Sequence, residues 1–347
     1  MGGVSAPPDL VIWLVTARCN MSCAYCYMEG VHGELGADEA IAVAKGLVEL
    51  APSSVGITGG EPLLWRPLRQ VLEILSANGV SSSVQSNLTL FSPSDADFFA
   101  EHNIFLFTSL DGPAKKIHEK FRGPGSWEAL LRGLKLARDA GLQFATVTTI
   151  SWANVRELPS ILELSRQLGS SYAAFLPVIP AGRAATTSFL PSSAELLEAF
   201  YSLRDAADLL GFKASIWCAP FAYLIGPTKH FHVYECNPRR SFDILPSGII
   251  PVCDTLRIPV SDVKKGVAEA WREYLAHPLI NEIAAKLPST CKSCAARDRC
   301  RGGCKARAYA LTGSFEEPDP LCPLSRCTLG AGRPSAIGGS EVFLATS

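Results

Sequence analysis

The chain has 347 residues, 48% hydrophobic and 19% charged, with a formal net charge of −1. These proportions describe a folded protein with room for one large domain plus a smaller one, or two comparable domains, and exclude a disordered chain. Near-neutral charge gives no general attraction to nucleic acid or anionic lipid, and no apolar run approaches the roughly 20 residues that a membrane span needs.

The start, MGGVSAPPDLVIWLVTARC, lacks the basic opening of a signal peptide, and its apolar stretch reads as a first strand. A cytoplasmic protein is expected. From there short apolar runs alternate with amphipathic stretches. Strands are predicted over 10–16, 54–58, 80–86, 104–109, 143–149 and 171–178. Helices are predicted over 37–50, 66–77, 94–102, 126–140, 153–168 and 192–210. Pro67 suits a first helical turn, Ser126 or Asn154 could cap, and Gly79, Gly141 and Gly211 fall where helices end. Six such units imply a parallel sheet able to curl into a barrel, with ligands at the C-terminal ends of the strands.

Four polar or glycine-rich segments follow successive strands and so share that rim. They are Cys19, Cys23 and Cys26 in ARCNMSCAYCY, then TGGEP (58–62), QSN (85–87) and SLDGP (109–113). Each alone reads as a turn between strand and helix; together they mark a site. The twelve cysteines divide unevenly, with three at 19–26 and nine between 218 and 327. Such numbers in a cytosolic chain point to metal or redox chemistry rather than disulfides. A structural metal site closes with four protein ligands, so three thiols leave one position open. A Cys3His zinc site completed by His32 is the plain alternative.

C-x3-C-x2-C after the first strand, with Tyr25 before the last cysteine, resembles the signature of radical S-adenosylmethionine (SAM) enzymes. The resemblance implies a 4Fe–4S cluster on Cys19, Cys23 and Cys26, its fourth iron chelated by the amino and carboxylate groups of SAM. Gly59 and Gly60 would let backbone approach the ligand, and Glu61 would accept from the SAM ammonium. Ser86 and Asn87 would meet the ribose, Ser109 and Asp111 would line the SAM site, and Arg122 would face the SAM carboxylate. A solvated surface arginine is the plain reading of Arg122.

The tail carries C-x11-G-x4-C from Cys236 to Cys253, then C-x2-C-x5-C-x3-C through Cys291, Cys294, Cys300 and Cys304, and Cys322 beyond. This order resembles the SPASM extension, which holds two auxiliary Fe–S clusters, expected here as 4Fe–4S. By that resemblance Cys236, Cys253 and Cys304 serve cluster I, with Cys218 favoured as fourth ligand. Cys291, Cys294, Cys300 and Cys322 serve cluster II. An open iron in cluster I stays possible, and Cys327 either substitutes or is a buried thiol. Paired zinc ribbons are the alternative for the tail. The fold expected is α/β, a partial (β/α)6 TIM-like barrel over 1–215 with a loop-rich Fe–S (SPASM) domain over 216–347.

The resemblance implies reductive cleavage of SAM to a 5′-deoxyadenosyl radical and oxidative functionalisation of a C–H bond. A peptide or protein maturase leads. With about ten residues before the first strand, a leader would need a separate leader-binding protein or another docking surface. Oxidative decarboxylation of tetrapyrrole propionates is the alternative, with Arg183, Arg239 and Arg240 as cations that otherwise read as surface charges. A non-catalytic Fe–S electron carrier is the reading from another class. Flavodoxin or ferredoxin is the reductant the family implies. His230 and His232 read as loop histidines, and no motif singles out Asp243 or Asp254 as a base.

Overall fold

The computed structural model describes residues 6–185 and 189–325. Its first half alternates β1 (Leu10–Thr16), α1 (Ala37–Leu50), β2 (Ser54–Gly59), α2 (Leu68–Ala77), β3 (Ser81–Ser86), α3 (Pro93–Glu101) and β4 (Phe105–Ser109). Then come α4 (Lys115–Arg122), α5 (Ser126–Asp139), β5 (Phe144–Ile150), α6 (Leu158–Gln167), β6 (Ala173–Pro177) and α7 (Ser193–Leu210). Helix α4, after SLDGP, was not foreseen.

Three short strands extend the expected six: β7 (Ala214–Ile216), β8 (Phe231–Val233) and β9 (Ser241–Ile244). The sheet runs β8-β7-β6-β5-β4-β3-β2-β1-β9, with every pair parallel. Strands of three or four residues carry too little alternation to be read from sequence. The boundary drawn at 215 falls inside β7, and β9 from the tail pairs with β1 from Leu10↔Ser241 to Trp13↔Ile244. The chain continues as β10 (Ile249–Pro251), β11 (Pro259–Asp262), α8 (Val267–Ala276), α9 (Pro278–Ala285), α10 (Arg297–Cys300) and α11 (Lys305–Thr312).

Alternation along the strands separates a helix-packed face from a concave one. Phe242 packs on Trp271 and Tyr274 of α8, with ring centroids 5.3 and 6.2 Å away. Its neighbour Asp243 is therefore on the concave side. Ser92 and Ser192 cap α3 and α7 in capping boxes with Asp95 and Glu195. The caps proposed from sequence differ. Pro67 is the N-cap of α2, and Gly125 is the N-cap of α5, where the Ser126 hydroxyl donates to Gly123 O at 2.7 Å. Asn154 caps nothing, because its side chain is drawn into the rim described below. Gly79, Gly141 and Gly211 do follow helix ends with positive φ.

The tail is locked to the barrel by a buried ion pair. Arg307 on α11 and Asp319 are both fully buried, at 2.9 Å. Arg307 also donates to Cys218 O at 2.6 Å and Pro177 O at 3.4 Å, and Asp319 accepts from Cys304 N at 3.0 Å and Leu321 N at 3.0 Å. A Cβ at Gly303 would sit 2.2 Å from the Asp319 Cβ, so that turn needs glycine. Arg307→Leu leaves a buried, unpaired carboxylate, and a loss of about 3–5 kcal/mol is expected. Urea unfolding of anaerobically reconstituted protein measures it, and an unchanged midpoint would refute the locking role.

Candidate cofactor site

The cysteine loop leaves β1 through a backbone clamp. Gly60 N donates to Thr16 O at 2.7 Å and Glu61 N to Arg18 O at 2.9 Å. A Cβ at Gly60 would lie 2.1 Å from Arg18 O, and one at Gly59 would lie 2.4 Å from Thr16 O. The close approach that these glycines permit in this structure is thus to the loop's own backbone. Arg18 then ties the loop to Glu34 at 3.0 Å and to Leu64 O at 3.0 Å.

Asp111 organises the rim. Fully buried, it accepts from Thr149 N at 2.9 Å, from the Tyr25 hydroxyl and from the Arg122 side chain. Its carbonyl accepts from Asn154 Nδ2 at 2.9 Å, and its own N–H donates to His118 Nδ1 at 3.3 Å. Arg122 is not a solvated cation: it is 4.0 Å from Cys23 Sγ and 5.7 Å from the Tyr25 ring centroid. Burial raises the Cys23 thiol above its ordinary value, and the Arg122 charge opposes that rise. Burial also holds Tyr25 protonated, as its role as donor requires.

Glu61 is buried and already accepts three bonds, from Leu63 N at 3.1 Å, Ser86 Oγ at 2.9 Å and Asn87 N at 2.8 Å. It fastens QSN to TGGEP. Ser86 is closed off behind it, whereas Asn87 Nδ2 points at Cys19 Sγ, 3.9 Å away. Ser109 Oγ accepts from Gln85 Nε2 at 3.3 Å. The thiols of Cys19 and Cys23 thus each face an N–H donor from elsewhere in the chain, Asn87 after β3 and Arg122 at the end of α4. That donor set fits metal-bound thiolates, which outer hydrogen bonds stabilise.

The return limb of the loop is gripped by Arg183, which the sequence offered as a propionate partner or a surface charge, and by Arg257, which sequence reasoning passed over. Arg183 donates through Nε to Cys23 O at 2.8 Å, pairs with Glu29 at 2.6 Å, and its backbone N–H reaches Cys26 O at 3.0 Å. Its expected reading as a free surface charge is therefore wrong. Its position five residues past the predicted β6 was the available signal. Arg257 donates to Tyr27 O and, at 3.0 Å, to Glu29 O. Arg239 and Arg240 stay outside, on Asn281 at 2.8 Å and Asp9 at 2.5 Å. His232 is exposed and bonds Lys229 O at 2.9 Å, and His230 sits 3.4 Å from Asp208.

In the tail, Cys304 lies within electrostatic reach of Cys218, Cys236 and Cys253. Burial raises the thiols of Cys218, Cys253 and Cys304 above their ordinary value, whereas Cys236 is exposed. Cys218 is thus near Cys304 and Cys236, two of the cysteines expected at cluster I. Cys291, Cys294, Cys300 and Cys322 line a separate cavity of about 160 Å³. Lys305 is next to both groups, its pKa lowered by burial and raised less by nearby thiols. Among the described residues no three His, Cys, Asp or Glu form a set that could hold a single metal ion. A cubane, whose thiolates each bind a different iron, spreads its ligands more widely. Cys327 lies outside the described residues.

Residues 13–163 match the radical SAM superfamily. The stretch from β1 into α6 is therefore a radical SAM domain. Among relatives of this radical SAM protein, the AdoMet-dependent heme synthase of Nitratidesulfovibrio vulgaris is 28% identical, covering 90% of this chain and 91% of its own. The PqqA peptide cyclase of Bradyrhizobium diazoefficiens is 24% identical, covering 92% and 87%. The solved structure of native anSMEcpe with bound AdoMet superposes with a TM-score of 0.72 at 18% identity, covering 91% of this chain and 94% of that one. Its likeness extends the shared fold through the cysteine-rich tail, as the SPASM spacing anticipated. A radical SAM protein uses a 4Fe–4S cluster and SAM, for which Cys19, Cys23 and Cys26 are the candidate ligands. Among the described residues no helix is long and apolar enough to cross a membrane.

The His118 imidazole is pushed down to about 4 by burial, from an ordinary 6.5. Between those values the unfolded chain binds more protons, so His118 supports the fold fully above about 6.5 and loses that support as pH falls toward 4. Thermal unfolding of His118→Gln should depend less steeply on pH in this window than that of the wild type. Parallel curves would count against it.

Proposed function

We propose that this radical SAM protein oxidatively decarboxylates propionate side chains of a tetrapyrrole. Cys19, Cys23 and Cys26 would hold the cluster, which with SAM would supply the radical chemistry that removes a hydrogen atom from the substrate. Loss of that hydrogen, one electron and carbon dioxide turns a propionate into a vinyl group. The two tail cysteine sets would hold clusters able to accept the electron.

The observation that carries this reading is an aromatic wall inside the barrel. Phe105 and Phe107 on β4 flank Leu106, which is fully buried in the helix-side core, so both rings are on the concave face. Their centroids are 5.0 Å apart. Tyr172, just before β6, stacks on Phe105 at 6.1 Å, and Trp217, just after β7, meets Phe107 edge-on at 5.7 Å. All four are half-buried. Along β4 the wall leads to Ser109 at the rim, and Trp217 precedes Cys218 in sequence. A planar macrocycle held there would contact rings on one face. Lys213 Nζ, 5.1 Å from the Tyr172 ring centroid, is an exposed cation for carboxylates at the other end.

Likeness to a heme synthase over nine-tenths of both chains supports the same choice. Peptide maturation, which led on the sequence alone, keeps support from the PqqA peptide cyclase relative. A tetrapyrrole needs no leader-binding partner. The reconstituted enzyme is to be incubated anaerobically with SAM, dithionite and a coproporphyrin-type tetrapyrrole. A product lighter by carbon dioxide, formed together with 5′-deoxyadenosine, is expected. 5′-Deoxyadenosine without a porphyrin mass change overturns the substrate, and no 5′-deoxyadenosine at all overturns the enzyme in favour of an electron carrier.

A further inference from the structure

We infer that Arg257 is a positioning residue through which the tail sets the geometry of the SAM-cluster loop, coupling auxiliary cluster I to SAM binding. The inference rests on the cluster assignments above but not on the substrate.

Tyr27 directly follows Cys26, and it is held at both ends by one short turn of the tail. Its carbonyl accepts from Arg257 Nη2, and its phenol hydrogen-bonds to Asp254. Arg257 Nη1 extends the grip to Glu29 O at 3.0 Å. The same turn carries Cys253, and it is closed by Arg257 N donating to Cys253 O at 3.0 Å. Two hydrogen-bonded paths, one through the Arg257 side chain and one through the Tyr27 and Asp254 side chains, therefore join the residue after a candidate SAM-cluster ligand to the turn that carries Cys253. Asp254 N is pinned in turn to Asp243 Oδ2 at 2.7 Å on β9, the strand that pairs with β1.

Arg257 is held there against local preference. Its φ is 56°, in the left-handed region that non-glycine residues avoid, and its buried Nε finds no partner. A side chain serving only its own turn would not be kept in that state; the two loop carbonyls give the reason. Arg183 grips Cys23 O and Cys26 O from the barrel side and, among the described residues, has no hydrogen bond to the tail cysteine turn, meeting Arg257 only through Glu29, and so provides an internal comparison.

The test uses reconstituted holoenzyme with iron counted per chain. SAM is titrated against the electron paramagnetic resonance signal of the reduced enzyme. Arg257→Leu should weaken the SAM-induced spectral change by about tenfold, the value of one charge-assisted hydrogen bond, with iron content retained. Arg257→Lys should restore part of it. Cys253→Ala should weaken the response similarly, and Arg257→Leu combined with Cys253→Ala should be no worse than either alone, whereas Arg183→Leu and Cys253→Ala should add. A wild-type titration in Arg257→Leu, or additive losses for Arg257 and Cys253, overturns the inference. If Arg257→Leu fails to load iron, Arg257→Lys decides: a response weaker than wild type supports the coupling, and an unchanged one overturns it.

Discussion

The buried carboxylate of Asp111 is the constraint on which the rim depends. A carboxylate withdrawn from water must be matched by donors, and here they come from three separated stretches of chain, at Tyr25, Arg122 and Thr149, while Asn154, five residues past Thr149, binds the Asp111 carbonyl. Satisfying one anion therefore fixes the cysteine loop, α4 and the ends of β4 and β5 relative to one another. It also brings the Arg122 guanidinium to Cys23. The site is preorganised by a hydrogen-bonding requirement rather than by apolar packing alone.

The same logic recurs where tail meets barrel. Arg307 and Asp319 neutralise each other and together bind backbone beside Cys218, Cys304 and the end of β6. With β9 paired to β1, the tail is anchored at both a sheet edge and a buried charge. A loop-rich region gains little from its own apolar burial. Its order comes from these polar locks and from whatever metal its thiols hold.

The barrel interior and its rim divide the labour. The rim is polar, charged and crowded with backbone. The concave wall is aromatic and half-open, as a cavity for a flat apolar body with charged edges would be. The cations near the rim are engaged: Arg18 with Glu34, Arg122 with Asp111, Arg183 with Glu29, and Arg257 with loop carbonyls. Exposed cations at the far mouth, such as Lys213, are freer to meet a carboxylate.

Sequence by itself determined the alternation of strands and helices through residue 210 apart from the short α4, because each of the other elements there is long enough to show its period. It also determined the cysteine groups and the four rim segments, because spacing alone carries that information. Tertiary structure decided the rest. Strands β7 to β9 are too short to announce themselves and exist because a neighbouring edge offers hydrogen bonds. The roles of Asn154, Arg183, Arg257 and Asp319 depend on partners far away in the chain, with Arg183 bonded across 160 residues. Glu61, read as open to a ligand, is instead surrounded by donors from another strand. A side chain's type states what it can bind; only the folded chain states what it has already bound.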